Sequence, residues 1–200
     1  MTYPLVLASG SSIRAKMLEN AGLRFEIAPV KIDESSIKAS LQSEDAHPRD
    51  IADTLAELKA QKAAQKHVGD ALVLGCDQVL EHQGQLLSKP KTPQDAIDQL
   101  KKMSGGMHTL YSSAVLYRDL KPIWRKTNVA QMYVRQLSED FVENYVAENW
   151  SEIQYCVGCY QIENQGVQLF SQIKGDHFTI MGLPLLDLLG YLRTTGWMNT

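Results

Sequence analysis

Three apolar runs in the first eighty residues, PLVLA at 4–8, FEIAPV at 25–30 and ALVLGCDQVL at 71–80, are separated by segments with helical punctuation. Runs this short, bounded by turn formers, read as strands. Strands joined through helices need crossover connections, and such connections leave neighbouring strands parallel. After residue 71 the pattern changes, and strands come in pairs without helices between them. ALVLGCDQVL pairs with the run before SKP about His82–Gly84, and HTLYSSAVLYRDL pairs with IWRKTNVAQMYVRQL about Lys121–Pro122. CVGCYQIEN and VQLFSQIKG read as a further hairpin about Gly166. Crossovers early and hairpins late predict an α/β protein built on a mixed sheet.

The helices are marked by their ends. Ser11 or Ser12 caps a helix running to about Asn20, which Gly22 closes. From Pro48, RDIADTLAELKAQKAAQKH carries apolar residues at 51, 55 and 58 on strong helix formers. Thr92 caps and Pro93 begins PQDAIDQLKKM, which Ser104–Gly105 ends. Ser138 caps the acidic-started EDFVENYVAENW, and a last helix with LLDLLGYL starts near Pro184. The polar stretch DESSIKASLQSEDAHP is expected to be irregular.

At 200 residues and 44% hydrophobic content, one domain over 1–200, in one lobe or two, is expected. A net charge of −3 gives no basic footprint, so no nucleic-acid partner is expected. No apolar run approaches the roughly 18 residues that span a bilayer, and PLVLA is too short for a signal peptide's core. A cytoplasmic protein without a membrane partner is the expectation. The cysteines are Cys76, Cys156 and Cys159. CVGC has the spacing of a zinc or redox pair, but no second such pair accompanies it. YCVGCYQI also reads as a buried strand in which cysteines serve as small hydrophobes.

In LASGSSIRAKML a strand empties into a helix N-terminus, where unpaired N–H groups attract anions. Ser9 and Ser11 add hydroxyls, Gly10 admits close approach, and Arg14 has the fork to grip a phosphate. Neither G-x-x-x-x-G-K-[ST] nor G-x-G-x-x-G is present, so a plain serine-capped helix with Arg14 in solvent is the competing reading. Asp33 and Glu34, just past a strand, are a carboxylate pair for a divalent cation or a solvated loop pair. Asp77 stands among apolar strand residues, where a carboxylate must be paired, capped or metal-bound. Gly75 beside it suggests close approach by backbone or ligand. Lys59 in LAELKAQKA and Lys89 in LLSKPK are surface lysines, or with Arg14 the cations of a phosphoryl-transfer site. MSGGMH reads as a capping turn followed by a surface His108, and GDHFTIMGLPL as an entry turn or substrate wall. A serine hydrolase using Ser11 or Ser104 with His108 lacks G-x-S-x-G.

Taken together the motifs resemble the Maf family, the septum formation inhibitor proteins, which are nucleoside triphosphate pyrophosphatases. LASGSSIRAKML is similar to the family's L-A-S-x-S-P-R-R-x-x-L-L. DE at 33–34, LAELKA, GCDQV, SKP, MSGGMH, VGCYQIEN and GDHFTIMGLPL follow in order over nearly the whole chain. The resemblance implies a mixed twisted sheet in two lobes with a central nucleotide cleft, similar to inosine triphosphate pyrophosphatases. It implies that Asp77 is the catalytic base and, with Glu34, holds Mg²⁺ or Mn²⁺. Ser9, Ser11, Arg14, Lys59 and Lys89 would line the phosphate path, and water would attack the α-phosphorus. The family is often dimeric, which is the sole ground for expecting a homodimer.

Three positions depart from expectation. Ile13 stands where the family's pattern has arginine, Gln78 where the dTTP/UTP-hydrolysing subgroup has threonine, and Glu163 where that subgroup has glutamine. Gln78 with Glu163 resembles the 7-methyl-GTP pyrophosphatase subgroup, although Ile13 replaces the aromatic residue common there. Guanine offers adjacent N1–H and N2–H₂ donors that one carboxylate accepts together. An N7-methylated guanine is cationic, which favours an anionic partner and an aromatic face such as Tyr160. A dTTP/UTP pyrophosphatase is the alternative within the family. A nucleotide-binding regulator of cell division with little turnover is the alternative outside enzymology.

Overall fold

The computed structural model describes residues 4–67, 69 and 71–199. Strand β1 (Leu5–Leu7) is flanked by two parallel neighbours, β2 (Phe25–Ile27) and β3 (Leu72–His82). Leu5 pairs with Phe25 on one side and Leu72 on the other. All three residues of β1 are buried, which is why the strand is uniformly apolar rather than alternating. Helix α1 (Ser12–Asn20) joins β1 to β2, and helices α2 (Glu34–Ser43) and α3 (Pro48–Ala64) join β2 to β3. Strand β4 (Gln85–Leu87) returns antiparallel on β3, with Leu80 opposite Leu87.

Helix α4 (Pro93–Met103) leads to the long strands β5 (Met107–Arg118) and β6 (Lys121–Val134). Helix α5 (Glu139–Ile153) and a five-residue 3-10 turn, Gln165–Leu169, precede strand β7 (Phe170–Lys174). Helices α6 (His177–Ile180) and α7 (Leu185–Thr194) end the chain. The seven-stranded mixed sheet has the order β2-β1-β3-β5-β6-β7, with β4 on β3. Among the described residues no helix is long and apolar enough to cross a membrane.

Two compact units are woven from non-contiguous segments, and β3, β5 and β6 contribute residues to both. The first takes the residues up to Gln78, Tyr111–Asn128 and those from His177 on. Its core joins Leu5, Leu7, Leu18, Leu74, Leu116 and Leu188. A second, small-residue layer sets Ala56, Ala60 and Ala63 of α3 against Val6, Val73 and Val115. Gly75 makes that layer possible: a Cβ there would lie 2.2 Å from the Ala56 carbonyl oxygen and 2.6 Å from the Ala60 nitrogen. The close approach anticipated at Gly75 is thus by the α3 backbone. The second unit, Val79–Leu110 with Val129–Asp176, buries Leu100 and Met103 of α4, and Val142 and Val146 of α5.

Three elements differ from expectation. The stretch expected to be irregular forms α2, capped by Asp33, whose Oδ1 accepts from the Ser36 amide at 3.0 Å. None of its residues is buried, so no apolar stripe announced it. The β5–β6 turn falls at Asp119–Leu120, both with positive φ (48° and 60°), and not at Lys121–Pro122. That geometry matches the twist of a tight hairpin. Pro122 is accommodated as an exposed strand residue beyond the reach of β7, which pairs only with Gln131–Val134.

The third difference is CVGCYQIEN at 156–164, expected as a strand and found as a succession of turns. β7 therefore pairs with β6, Met132 opposite Ile173, instead of with CVGCYQIEN. Cys159 adopts φ 58° and its amide donates to the Cys156 carbonyl at 3.2 Å, which breaks any extended run. Cys159, Tyr160 and Ile162 are buried without forming a strand. All three cysteines are free, and burial pushes the Cys156 and Cys159 thiols up to about 11 and about 12.

Candidate active site

Past the end of β1 the chain turns through Ser9–Ser11 into α1. Ser11 caps the helix, its Oγ accepting from the Arg14 amide at 3.4 Å, and its own amide donates to Ser9 Oγ at 3.3 Å. The Arg14 guanidinium donates through Nε to the Gly182 carbonyl at 2.8 Å. Through Nη1 it reaches Ser9 Oγ at 3.2 Å and the Cys76 carbonyl at 3.1 Å. Arg14 thus ties the serine loop, β3 and the turn before α7 together, where solvent exposure was one expectation. Gly182, at φ +97°, leaves room for it: a Cβ there would come within 3.2 Å of Nη2. Ile13, next along α1, is half-buried against the leucine core of this unit, which suits an apolar side chain and not a cation.

Because Gly75 seats α3 on β3, Lys59 meets Asp77 although they lie far apart in sequence. Lys59 Nζ stands 2.5 Å from Asp77 Oδ1 and 2.6 Å from Glu34 Oε1. Side-chain exposure falls from 43% for Glu34 to 12% for Lys59 and 6% for Asp77, so Lys59 is not a surface lysine. Of the two adjacent acids, Asp33 is spent on capping α2, its carboxyl held below the usual range first by the Ser36 amide. Glu34 is the one that turns to Lys59. Asp77 Oδ2 is buried and has no hydrogen-bond partner among the described residues.

That orphaned oxygen bears on a metal. Among the described residues no three His, Cys, Asp or Glu side chains converge on one point; the two carboxylates gathered about Lys59 are Asp77 and Glu34. Two carboxylates suit Mg²⁺, which keeps most of its shell for water and substrate phosphates. A buried carboxylate oxygen lacking a donor is the chemistry such an ion would satisfy.

Gln78, beside Asp77, turns its amide nitrogen to Ser112 Oγ at 2.9 Å and to the Ile180 and Thr179 carbonyls at 2.9 and 3.1 Å. Ser112 Oγ donates to the same Thr179 carbonyl at 2.7 Å. Gln78 and Ser112 therefore pin α6, as Arg14 pins the turn after it. Ser112 and Thr179 escaped the sequence reading, because nothing in SSAVL or HFTIM distinguishes a buried hydroxyl from any other small residue.

Lys89 and Glu163 belong to the second unit, and both are exposed. Both act electrostatically on Cys156, whose thiol is raised by burial and then by Glu163, with Lys89 working against them. Tyr160 is not the open aromatic face expected for stacking on a base. It is 7% exposed, its ring meets Phe170 edge-on at 4.8 Å, and its hydroxyl lies 2.8 Å from His108 Nε2. His108, expected at the surface, is wholly buried, and burial, then His82, lowers its imidazole to about 3. The sequence clue was its place in β5, a strand buried over nearly its whole length.

The family model described as Maf-like protein matches residues 4–195. A nucleoside triphosphate pyrophosphatase of Ruegeria pomeroyi is 52% identical over 200 residues, covering 100% of both chains. A 7-methyl-GTP pyrophosphatase of Mesorhizobium japonicum is 45% identical over 196 residues, covering 98% of each. The solved structure of a HAM1 protein from Coxiella burnetii overlaps 66% of this chain and 73% of its own, at a TM-score of 0.40 and 18% identity.

Proposed function

The chain belongs to the Maf family, and on that premise we propose that it is a nucleoside triphosphate pyrophosphatase whose preferred substrate is 7-methyl-GTP. The observation that carries the chemistry is Asp77, a buried carboxylate with one oxygen on Lys59 and the other without a partner among the described residues. In this reading Asp77 takes a proton from water as the water oxygen attacks the α-phosphorus. The bond from that phosphorus to the bridging oxygen breaks, pyrophosphate leaves, and the nucleoside monophosphate remains. Lys59 presents its charge beside the base, and the α1 amides with Ser9 and Ser11 offer donors to phosphate oxygens. Arg14 holds the loop that carries those serines and adds its positive charge to them, and Lys89 supplies a further cation. A Mg²⁺ or Mn²⁺ ion held by Asp77 and Glu34 would supply charge neutralisation on the triphosphate.

Glu163 is the proposed reader of the base. Its carboxylate accepts the two adjacent donors of guanine and attracts the positive charge that N7 methylation adds. With Tyr160 buried, recognition rests on charge and hydrogen bonding and not on stacking by that ring. Gln78 acts through α6, which it pins, and Ile13 through its packing on α1. The test is pyrophosphate release by the purified protein from UTP, dTTP, CTP, GTP and 7-methyl-GTP, with Mg²⁺ or Mn²⁺. A preference for 7-methyl-GTP is expected. Binding of nucleotides without turnover would replace the enzyme by a nucleotide-binding regulator.

A further inference from the structure

His108 and Tyr160 form a buried pair that is not fully satisfied among the described residues. Nε2 of the histidine and the tyrosine hydroxyl share one hydrogen bond of 2.8 Å, while the buried Nδ1 has no partner among the described residues. If the hydroxyl donates to Nε2, the Nδ1–H is left over; if Nε2–H donates, the Nδ1 lone pair is left over. A buried polar group without a partner is costly, and two apolar side chains of the same shape would avoid the cost. The pair therefore calls for a purpose.

What it holds is the turn that carries Glu163. The backbone folds tightly against the Tyr160 ring, since a Cβ on Gly158 would lie 2.3 Å from Tyr160 Cε1. The next residue, Gln161, is held by its neighbours in the chain. Asn164 Nδ2 donates to its Oε1 at 2.7 Å. Gly166 packs so closely that an added Cβ would be 2.4 Å from its carbonyl oxygen. The Asn164 amide donates to the Gln161 carbonyl at 3.2 Å, closing a turn with Glu163 as its third residue. An exposed carboxylate thus rides on a turn whose root is buried and hydrogen-bonded, the arrangement expected of a recognition group that must not wander.

We infer that His108 is a positioning residue: by holding the Tyr160 hydroxyl it fixes the turn that presents Glu163, and so sets how sharply a guanine base is separated from a pyrimidine. The inference rests on the proposed reading of Glu163. Burial keeps the imidazole neutral at any working pH, so the tether does not switch off within that range.

Three variants test it: Tyr160→Phe, His108→Gln, and the double change His108→Leu with Tyr160→Phe. The readouts are Tm and the ratio of kcat/KM for 7-methyl-GTP to that for UTP. Tyr160→Phe is expected to lower Tm and to cut the ratio about tenfold, through KM for 7-methyl-GTP. His108→Gln, which keeps a polar group near the Nε2 position, is expected to recover much of the ratio. The double variant removes both polar partners and is expected to regain Tm while the ratio stays low. If the double variant regains Tm and the wild-type ratio together, His108 is merely core and the inference is overturned. If a single variant does not fold, the double variant alone decides. Absence of turnover in the unmodified protein would instead overturn the pyrophosphatase reading, and this inference with it.

Discussion

Lys59→Met preserves most of the lysine's length and apolar stem while deleting the ammonium that faces Asp77 and Glu34. Asp77 is 6% exposed with one oxygen 2.5 Å from that ammonium, so the change strands a buried charge. Removing one partner of a buried pair costs about 3–5 kcal/mol. The Glu34 half is 43% exposed and adds at most about 1 kcal/mol, because solvent screens it. Allowing for the partial exposure of Lys59, a loss of about 3–4 kcal/mol at pH 7 is expected. In a chain of this size each kcal/mol shifts Tm by about 2–4 °C, so Tm should fall by about 10 °C. The assay is urea denaturation of four proteins: wild type, Lys59→Met, Asp77→Asn and the double variant. Asparagine is neutral and nearly isosteric, so in the Asp77→Asn background Lys59→Met should cost less than about 1 kcal/mol. Additive single changes, within about 0.5 kcal/mol, would show that the Lys59–Asp77 contact carries no coupling and would refute the reasoning.

Other expected outcomes follow from the same geometry. Asp77→Asn should lower kcat for triphosphate hydrolysis by about 10²–10⁴ with nucleotide binding retained, measured by steady-state kinetics and calorimetry. Gly75→Ala drives a methyl group into the α3 backbone, and should lose at least about 1–3 kcal/mol in urea melts, together with activity as Lys59 is displaced. His108 titrates near 6.5 when unfolded but is lowered to about 3 when folded, by burial and then His82. Below pH 6.5 the unfolded chain binds a proton that the folded chain refuses, so this contribution to stability is whole above 6.5 and declines toward pH 3. Its slope is up to about 1.4 kcal/mol per pH unit, and the His108→Leu, Tyr160→Phe double variant should lack it when melts are compared between pH 7 and 5. Glu163→Gln should lower 7-methyl-GTP turnover and raise that of UTP, and an unchanged preference would remove Glu163 from base recognition.

Much of the sheet was legible because apolar runs and helix caps are local signals. Ser11, Thr92 and Ser138 all cap the helices assigned to them. Helix α2 was not legible, since its serine-rich residues bury nothing and its stability comes from the Asp33 cap and contact with α3. The turns at 156–164 were read as strand because a buried coil and a buried strand present the same apolar residues. At the site, Asp77 announced itself as a charge among leucines and valines. Lys59 did not, because its burial depends on how closely α3 lies on β3, which Gly75 decides. Arg14 was singled out for its charge, yet its bonds to Ser9, Cys76 and Gly182 depend on tertiary neighbours that the local pattern does not reveal.

The most direct test of the central claim is hydrolysis of 7-methyl-GTP by the purified protein in ¹⁸O-labelled water, with the products weighed by mass spectrometry. Attack on the α-phosphorus predicts 7-methyl-GMP carrying one ¹⁸O and unlabelled pyrophosphate. Label in the pyrophosphate, release of diphosphate and orthophosphate, or no hydrolysis at all would contradict it.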